Sequence, residues 1–186
     1  MKILVTGCNG QLGHAMQEIS TYLSEWTWKF TDLPELDITN PEQVNQTVKN
    51  FQPDWIINAA AYTDVDGAET NQELAFRVNA EGPHNLAMAA IEANAKLVHI
   101  STDYVFDGTK NEPYTETDQP NPLQVYGKSK LEGETLIQET GVPGIIIRTS
   151  WLYGSHGNNF VKTILRLADE KDEIQVVDDQ IGSPTY

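Results

Sequence analysis

The stretch Gly7-Cys8-Asn9-Gly10-Gln11-Leu12-Gly13 constrains this chain more than any other. It follows a short apolar run, Lys2 to Thr6, that reads as a buried parallel strand. It precedes a helical pattern through Ala15, Met16 and Ile19. In a strand, Gly-x-x-Gly-x-x-Gly, helix unit the glycines permit a tight turn, let the backbone approach a pyrophosphate and let helix pack on strand. The helix start then presents unpaired N–H groups and a positive dipole end to an anion. Gly7, Gly10 and Gly13, with Gln11 and Leu12 between them, are therefore candidate cofactor-binding residues.

The chain continues as alternating strand and helix patterns. Trp26 to Thr31 reads as a second strand ending at Asp32, about 20 residues past the glycine turn, where an acidic side chain can bond the adenosine ribose hydroxyls. A carboxylate there repels a 2′-phosphate, which favours NADH over NADPH. Leu36-Asp37-Ile38-Thr39 is placed to lie under an adenine, and Asn40-Pro41 has the form of an N-cap and first helical residue of a helix to about Asn50. Trp55-Ile56-Ile57 is a third strand, running out into Asn58-Ala59-Ala60-Ala61-Tyr62-Thr63, small residues that leave room for a ligand over the sheet. A helical region is expected from about Asn71 to Asn94, interrupted at Gly82-Pro83, with Asn79 inside it either exposed or buried with partners.

Lys96 to Ile100 is a fourth strand opening into Ser101-Thr102-Asp103, and Gly144 to Arg148 a fifth, ending near Trp151. Asn158 to Asp169 reads as a helix with Phe160, Ile164, Leu165 and Ala168 on its apolar side, and Ile174 to Val177 as a short strand. The alternation predicts an α/β fold, a doubly wound Rossmann-type parallel sheet flanked by helices. Residues 1–150 are expected to form the NAD(P)-binding domain, and 151–186 the last core elements and the start of an incomplete substrate-binding region. The ending carries no helix, cap or polar tail, which suggests a truncated C-terminal part.

Near the other end stands Tyr126-Gly127-Lys128-Ser129-Lys130, a Tyr-x-x-x-Lys. If Leu131, Leu136 and Ile137 form the buried stripe of a helix, Tyr126 and Lys130 share one face, and an ammonium beside a phenol favours the phenolate. Such a pair can exchange a proton near neutral pH. Ser101 or Thr102, past the fourth strand, could donate to a substrate oxygen; turn formation is the other use of such hydroxyls.

A formal charge of -15 excludes general electrostatic binding to nucleic acid or anionic membrane, so a phosphate ligand must be held by backbone N–H groups and a few cations. Cys8 is the single cysteine, which makes an intrachain disulfide impossible and a cytoplasmic setting the simple reading. The 4 histidines are scattered, and no metal-ligand cluster is expected.

Together these motifs resemble the extended short-chain dehydrogenase/reductases. Val5 to Gly13, Leu36 to Thr39, Asn58 to Thr63, Ser101 to Gly108, Arg148 to Gly154 and Gly182 to Thr185 are most similar to the branch that reduces dTDP-4-dehydro-L-rhamnose. The resemblance implies that Tyr126 donates a proton to the sugar's C4 ketone, that Lys130 lowers its pKa and bonds the nicotinamide ribose, and that Thr102 polarises the carbonyl. It further implies a cofactor, NADH or NADPH, lined by Gly10 to Leu12, Asp37, Ile38, Ala61, Tyr62 and Thr63, with Ala59 and Ala60 beside them. Thr102, Asp103 and Trp151 would touch the nucleotide-sugar. Members run on for roughly another hundred residues, supplying substrate pocket and subunit contacts, so a homodimer is compatible with it. Two other readings stay open: a nucleotide-sugar epimerase or dehydratase, and a non-catalytic regulatory subunit like the partner of methionine adenosyltransferase.

Overall fold

The first five apolar runs between turn residues become the strands of one parallel sheet in the computed structural model, which describes residues 1–186. The strands are β1 (Lys2–Thr6), β2 (Thr27–Thr31), β3 (Trp55–Asn58), β4 (Lys96–Thr102) and β5 (Gly144–Thr149), in the order β2-β1-β3-β4-β5. All neighbouring pairs are parallel, so every connection is a crossover over a face of the sheet. The order reverses between β1 and β3, and a crevice opens beyond their carboxyl ends, where ligands bind in open sheets of this kind.

The crossovers are helical: α1 (Gln11–Ser20), α2 (Pro41–Phe51), a run of α3 (Val65–Thr70), α4 (Gln72–Phe76) and α5 (Gly82–Glu92), then α6 (Val125–Thr140). Asn40 caps α2 as expected, accepting the N–H groups of Glu42 and Gln43 ahead of Pro41. Val44 and Val48 of α2 and Leu86, Ala87 and Ala90 of α5 close over Leu4, Ile56 and Leu97 of the sheet. No helix is long and apolar enough to cross a membrane.

Gly82-Pro83 does not interrupt the helical region, which also begins earlier, at Val65. Proline lacks an N–H and crowds the preceding turn; here the backbone widens into one π turn, Arg77–Glu81, and continues directly into α5. Gly82 has no Cβ to strike Ile38, which would lie 2.7 Å from one. Asn79, inside the π turn, is fully buried and fully used. Its Oδ1 accepts the Tyr62 N–H at 2.8 Å, and its Nδ2 donates to the Tyr62 carbonyl and to Ser129 Oγ, both at 3.0 Å. Asn79→Ala strands both polar groups of Tyr62 and is expected to cost about 2 kcal/mol, seen as a lower urea midpoint with an unchanged slope.

The buried face of α6 is not the leucine stripe. Leu131 and Leu136 are half-buried, and the face turned inward runs through Val125, Ser129, Lys130, Gly133, Glu134 and Ile137. The helix lies so close to its neighbours that Cβ atoms at Gly127 and Gly133 would strike the carbonyl oxygens of Tyr104 and Asn79. That closeness shields polar groups which then pair with one another.

After β5 the burial falls away. Helix α7 (Phe160–Glu170) forms where expected, capped by Asn159, but Phe160 and Leu165 are 64% and 62% exposed and none of its residues is buried. The strand expected at 174–177 does not form; Val176 and Val177 are exposed, and the only sheet-like pairing in this region is the bridge between Leu152 and Thr185. A short apolar run becomes a strand only when it pairs with an edge, and this segment makes no pairing with β5, the sheet's open edge, where Ile145 and Ile147 stay exposed.

Candidate active site

The first turn is built around glycine. Gly7 has φ +72°, and a Cβ there would lie 2.5 Å from the Ala60 nitrogen; one at Gly13 would strike the Gly7 carbonyl oxygen. Gly10 is the N-cap of α1, and no side chain caps the helix. The free N–H groups of its first turn, at Gln11, Leu12 and Gly13, therefore border the crevice. This cradle fits a pyrophosphate, because uncapped donors and a positive helix end face a space that side chains do not enter.

The crevice has a volume of about 720 Å³, and one wall is this glycine turn. Asp32, Asp37, Ile38 and then Ala59, Ala60, Ala61 and Thr63 line the next part, and Thr102, Asp103, Tyr126, Lys130 and Trp151 line the far part. Tyr62 is the expected residue that does not line it. The side chain packs with Ala68, Ala75 and Val125 behind the crevice, while Asn79 clamps its backbone. Residues 59–61 are alanines where bulk would fill the space.

Asp32 is tied down: one carboxylate oxygen accepts the Asn9 N–H at 2.9 Å and the other the Leu33 N–H at 2.8 Å. Asp37 accepts both the N–H and the hydroxyl of Thr39. Lys130 is the sole cation lining the crevice, opposite these carboxylates.

Thr102 ends β4, and its hydroxyl accepts the Tyr104 N–H and donates to Asp103, both at 3.2 Å. Burial pushes the Tyr126 phenol up, against a pull from the Thr102 hydroxyl, and the charge of Asp103 adds to the rise. The expectation of a phenolate favoured by the neighbouring ammonium is therefore not what this arrangement produces: burial dominates, and the phenol is raised. Lys130 is wholly buried and pushed down to about 8 by loss of solvent, although the Glu134 charge opposes this. Its Nζ donates to the Ile100 carbonyl at 2.7 Å and lies 3.3 Å from His99 Nε2. Burial also raises the Asp103 carboxyl.

Trp151 sits at φ 49° with its ring half exposed over the far part of the crevice, backed by Gly182. Gln11 ties this segment to the glycine turn, donating to the Leu152 carbonyl at 2.9 Å and accepting from Asn159 at 2.7 Å.

Sequence reasoning passed over His99 and Glu134, both buried behind Lys130. Each carried a signal: a histidine amid an apolar strand needs a buried partner, and Glu134 lies one helical turn beyond Lys130 on the same face.

With the geometry in place, kinship is specific. Residues 1–186 match the family model described as RmlD substrate binding domain. The chain is 50% identical to a dTDP-4-dehydrorhamnose reductase of Aggregatibacter actinomycetemcomitans over 185 residues, covering 100% of this chain and 63% of that protein. With the Escherichia coli K12 protein of the same name the identity is 46% and the coverage 100% and 62%. The crystal structure of dTDP-4-dehydrorhamnose reductase from Bacillus anthracis in complex with NADP superimposes with a TM-score of 0.96 at 50% identity, covering 100% of this chain and 66% of that one. The chain thus spans somewhat less than two thirds of the length of these relatives. By full-length match and by identity, the chain belongs to the RmlD substrate binding domain family.

Proposed function

We propose that this chain performs the NAD(P)H-dependent reduction of the C4 ketone of dTDP-4-dehydro-L-rhamnose to dTDP-L-rhamnose. One observation carries the reading: Thr102 from β4 and Tyr126 and Lys130 from α6, all distant in sequence from the glycine turn, converge on the crevice that this turn opens. The relatives' shared name supports the substrate, and the NADP bound to the Bacillus anthracis protein supports a nicotinamide cofactor.

Gly7 and Gly10 to Gly13 would hold the pyrophosphate, Asp32 the adenosine ribose, Asp37 and Ile38 the adenine, Ala59 to Thr63 the crevice floor, and Lys130 the nicotinamide ribose. The bound reduced nicotinamide supplies the hydride. Charge then grows on the ketone oxygen, and the Tyr126 phenol and Thr102 hydroxyl donate to it where it grows. A raised phenol suits this direction of reaction, because it is protonated and able to give its proton at neutral pH. Asp103 and Trp151 would contact the nucleotide-sugar, with residues 151–186 beginning a substrate-binding region whose remainder also supports a homodimer.

NADH is the preferred cofactor in this reading. Asp32 is negative and the crevice wall around it holds no Lys or Arg to receive a 2′-phosphate. Asp32→Asn is expected to shift the NADPH/NADH ratio of kcat/KM upward by about 5- to 10-fold, the worth of ~1 kcal/mol of repulsion. Steady-state kinetics with both cofactors measures it.

The deciding experiment follows NADH and NADPH oxidation by the full-length protein with dTDP-4-dehydro-L-rhamnose. Oxidation matched one-to-one by dTDP-L-rhamnose formation is expected. A folded protein that binds cofactor yet oxidises none would overturn the reading and direct attention to epimerase substrates, then to a protein partner.

A further inference from the structure

Behind the crevice lies a chain of buried polar side chains that the proposed reaction does not use: Thr6, Asn58 and His99, ending at Lys130. Their donor and acceptor roles can be worked out from one fixed point. Asn58 Oδ1 lies 3.1 Å from the Ala60 backbone nitrogen and 2.7 Å from Thr6 Oγ1. The Ala60 N–H can only donate, so the atom facing it is the amide oxygen and the other end of Asn58 is the NH₂ group. That NH₂ donates to His99 Nδ1 at 3.0 Å. Nδ1 is thereby an acceptor, and a neutral His99 carries its proton on Nε2.

Burial holds His99 neutral, with its value well below the usual imidazole range, and the nearby Lys130 adds to the fall. Its Nε2–H therefore points at Lys130 Nζ, 3.3 Å away. An ammonium has three donors and no lone pair, so it cannot accept this hydrogen; an uncharged amine can, while still donating to the Ile100 carbonyl. Moving the imidazole proton to Nδ1 offers no escape, because it would then face the Asn58 NH₂, and turning that amide would set NH₂ against the Ala60 N–H.

We propose that His99 is a positioning residue that favours the uncharged form of Lys130, through a tautomer fixed by Asn58, so that in alkaline solution cofactor binding is coupled to uptake of one proton by Lys130. The second half rests on the reading above, in which Lys130 works as a cation beside the nicotinamide ribose. The proton comes from solvent. The other titratable groups around Lys130 are Glu134 and Tyr126 on α6, with Arg148 of β5 neutralising Glu134; Glu134 alone among them favours the charged amine.

Two measurements on the full-length protein test this. Long-range proton–nitrogen correlation spectra of ¹⁵N-histidine protein, without cofactor, are expected to show one ring with Nε2 protonated and Nδ1 bare, assigned by its loss in His99→Gln. A Nδ1–H ring, or one that charges near the ordinary imidazole value, would overturn the proposal. Calorimetry of NADH and NADPH binding in buffers of different ionisation enthalpy counts protons. Uptake should rise from near zero at about pH 7 toward one per chain by about pH 9, following the Lys130 value of about 8. In His99→Gln, whose amide can turn its oxygen to Lys130, uptake at about pH 9 should fall at least ~2-fold. Equal counts in the two proteins would overturn the coupling. Neither measurement needs turnover, so a protein that gives the expected spectra and proton counts but reduces no sugar would sink the proposed function and leave His99's role standing.

Discussion

Tyr126→Phe is expected to lower kcat for ketone reduction by about 10²- to 10⁴-fold, the range that a positioned general acid contributes. Cofactor affinity should change little. The ring of Tyr126 is held by packing, edge-on to Tyr104 with centroids 5.6 Å apart and against the buried cluster of Ala68, Ala75 and Val125. A phenylalanine keeps these contacts, and the backbone of this turn is supported independently of the phenol by Ser129 Oγ donating to the Tyr126 carbonyl at 2.8 Å. What is lost is the proton. Single-turnover reduction of dTDP-4-dehydro-L-rhamnose, with cofactor binding measured on the same preparation, separates the two effects. The wild-type rate should also fall as pH rises through the raised phenol value, since the donor is then spent before the hydride arrives. Retention of more than about a tenth of the activity in the variant would remove Tyr126 from the donor role.

The strands of this protein are legible because a parallel strand buried on both faces must be apolar nearly throughout. Ile3 to Val5, Ile56 and Leu97 are such residues, and their runs end where the backbone turns into the crevice. The glycine turn is legible because no other residue fits at Gly7 or Gly13. Harder to read is what burial does to polar groups. Asn79, Lys130 and Glu134 look like surface residues of amphipathic helices, yet they lie inside because Gly127 and Gly133 bring α6 against the π turn and the residues after β4. Tyr62 stands in a run of crevice residues, but its partners come from α3, α4 and α6, which no local pattern discloses. The apolar face of α7 is legible too, though nothing in these residues covers it.

Glu134 should be the costliest of the buried polar residues to remove. Its carboxylate is 3% exposed and makes a two-pronged contact with the Arg148 guanidinium, at 2.6 and 3.0 Å, while also accepting from the Ser101 hydroxyl. Arg148 in turn stacks on Phe106 with 4.9 Å between guanidinium carbon and ring centroid. Glu134→Ala leaves a guanidinium without its counter-charge and a buried serine hydroxyl without its acceptor. The expected loss is about 3 kcal/mol, the lower end for a broken buried pair because Arg148 keeps some solvent. Urea denaturation of wild type, Glu134→Ala, Arg148→Met and the double variant gives the coupling. If the pair is costly mainly because one charge is left behind, the double variant should recover more than half of the loss. Ser101 sits beside Thr102 and Glu134 one turn from Lys130, so this pair also fixes the distance between the hydroxyl and the amine. Any residual activity of Glu134→Ala should therefore fall in kcat more than in KM, and a variant as stable and as active as wild type would show that β4 and α6 are held in register by packing alone.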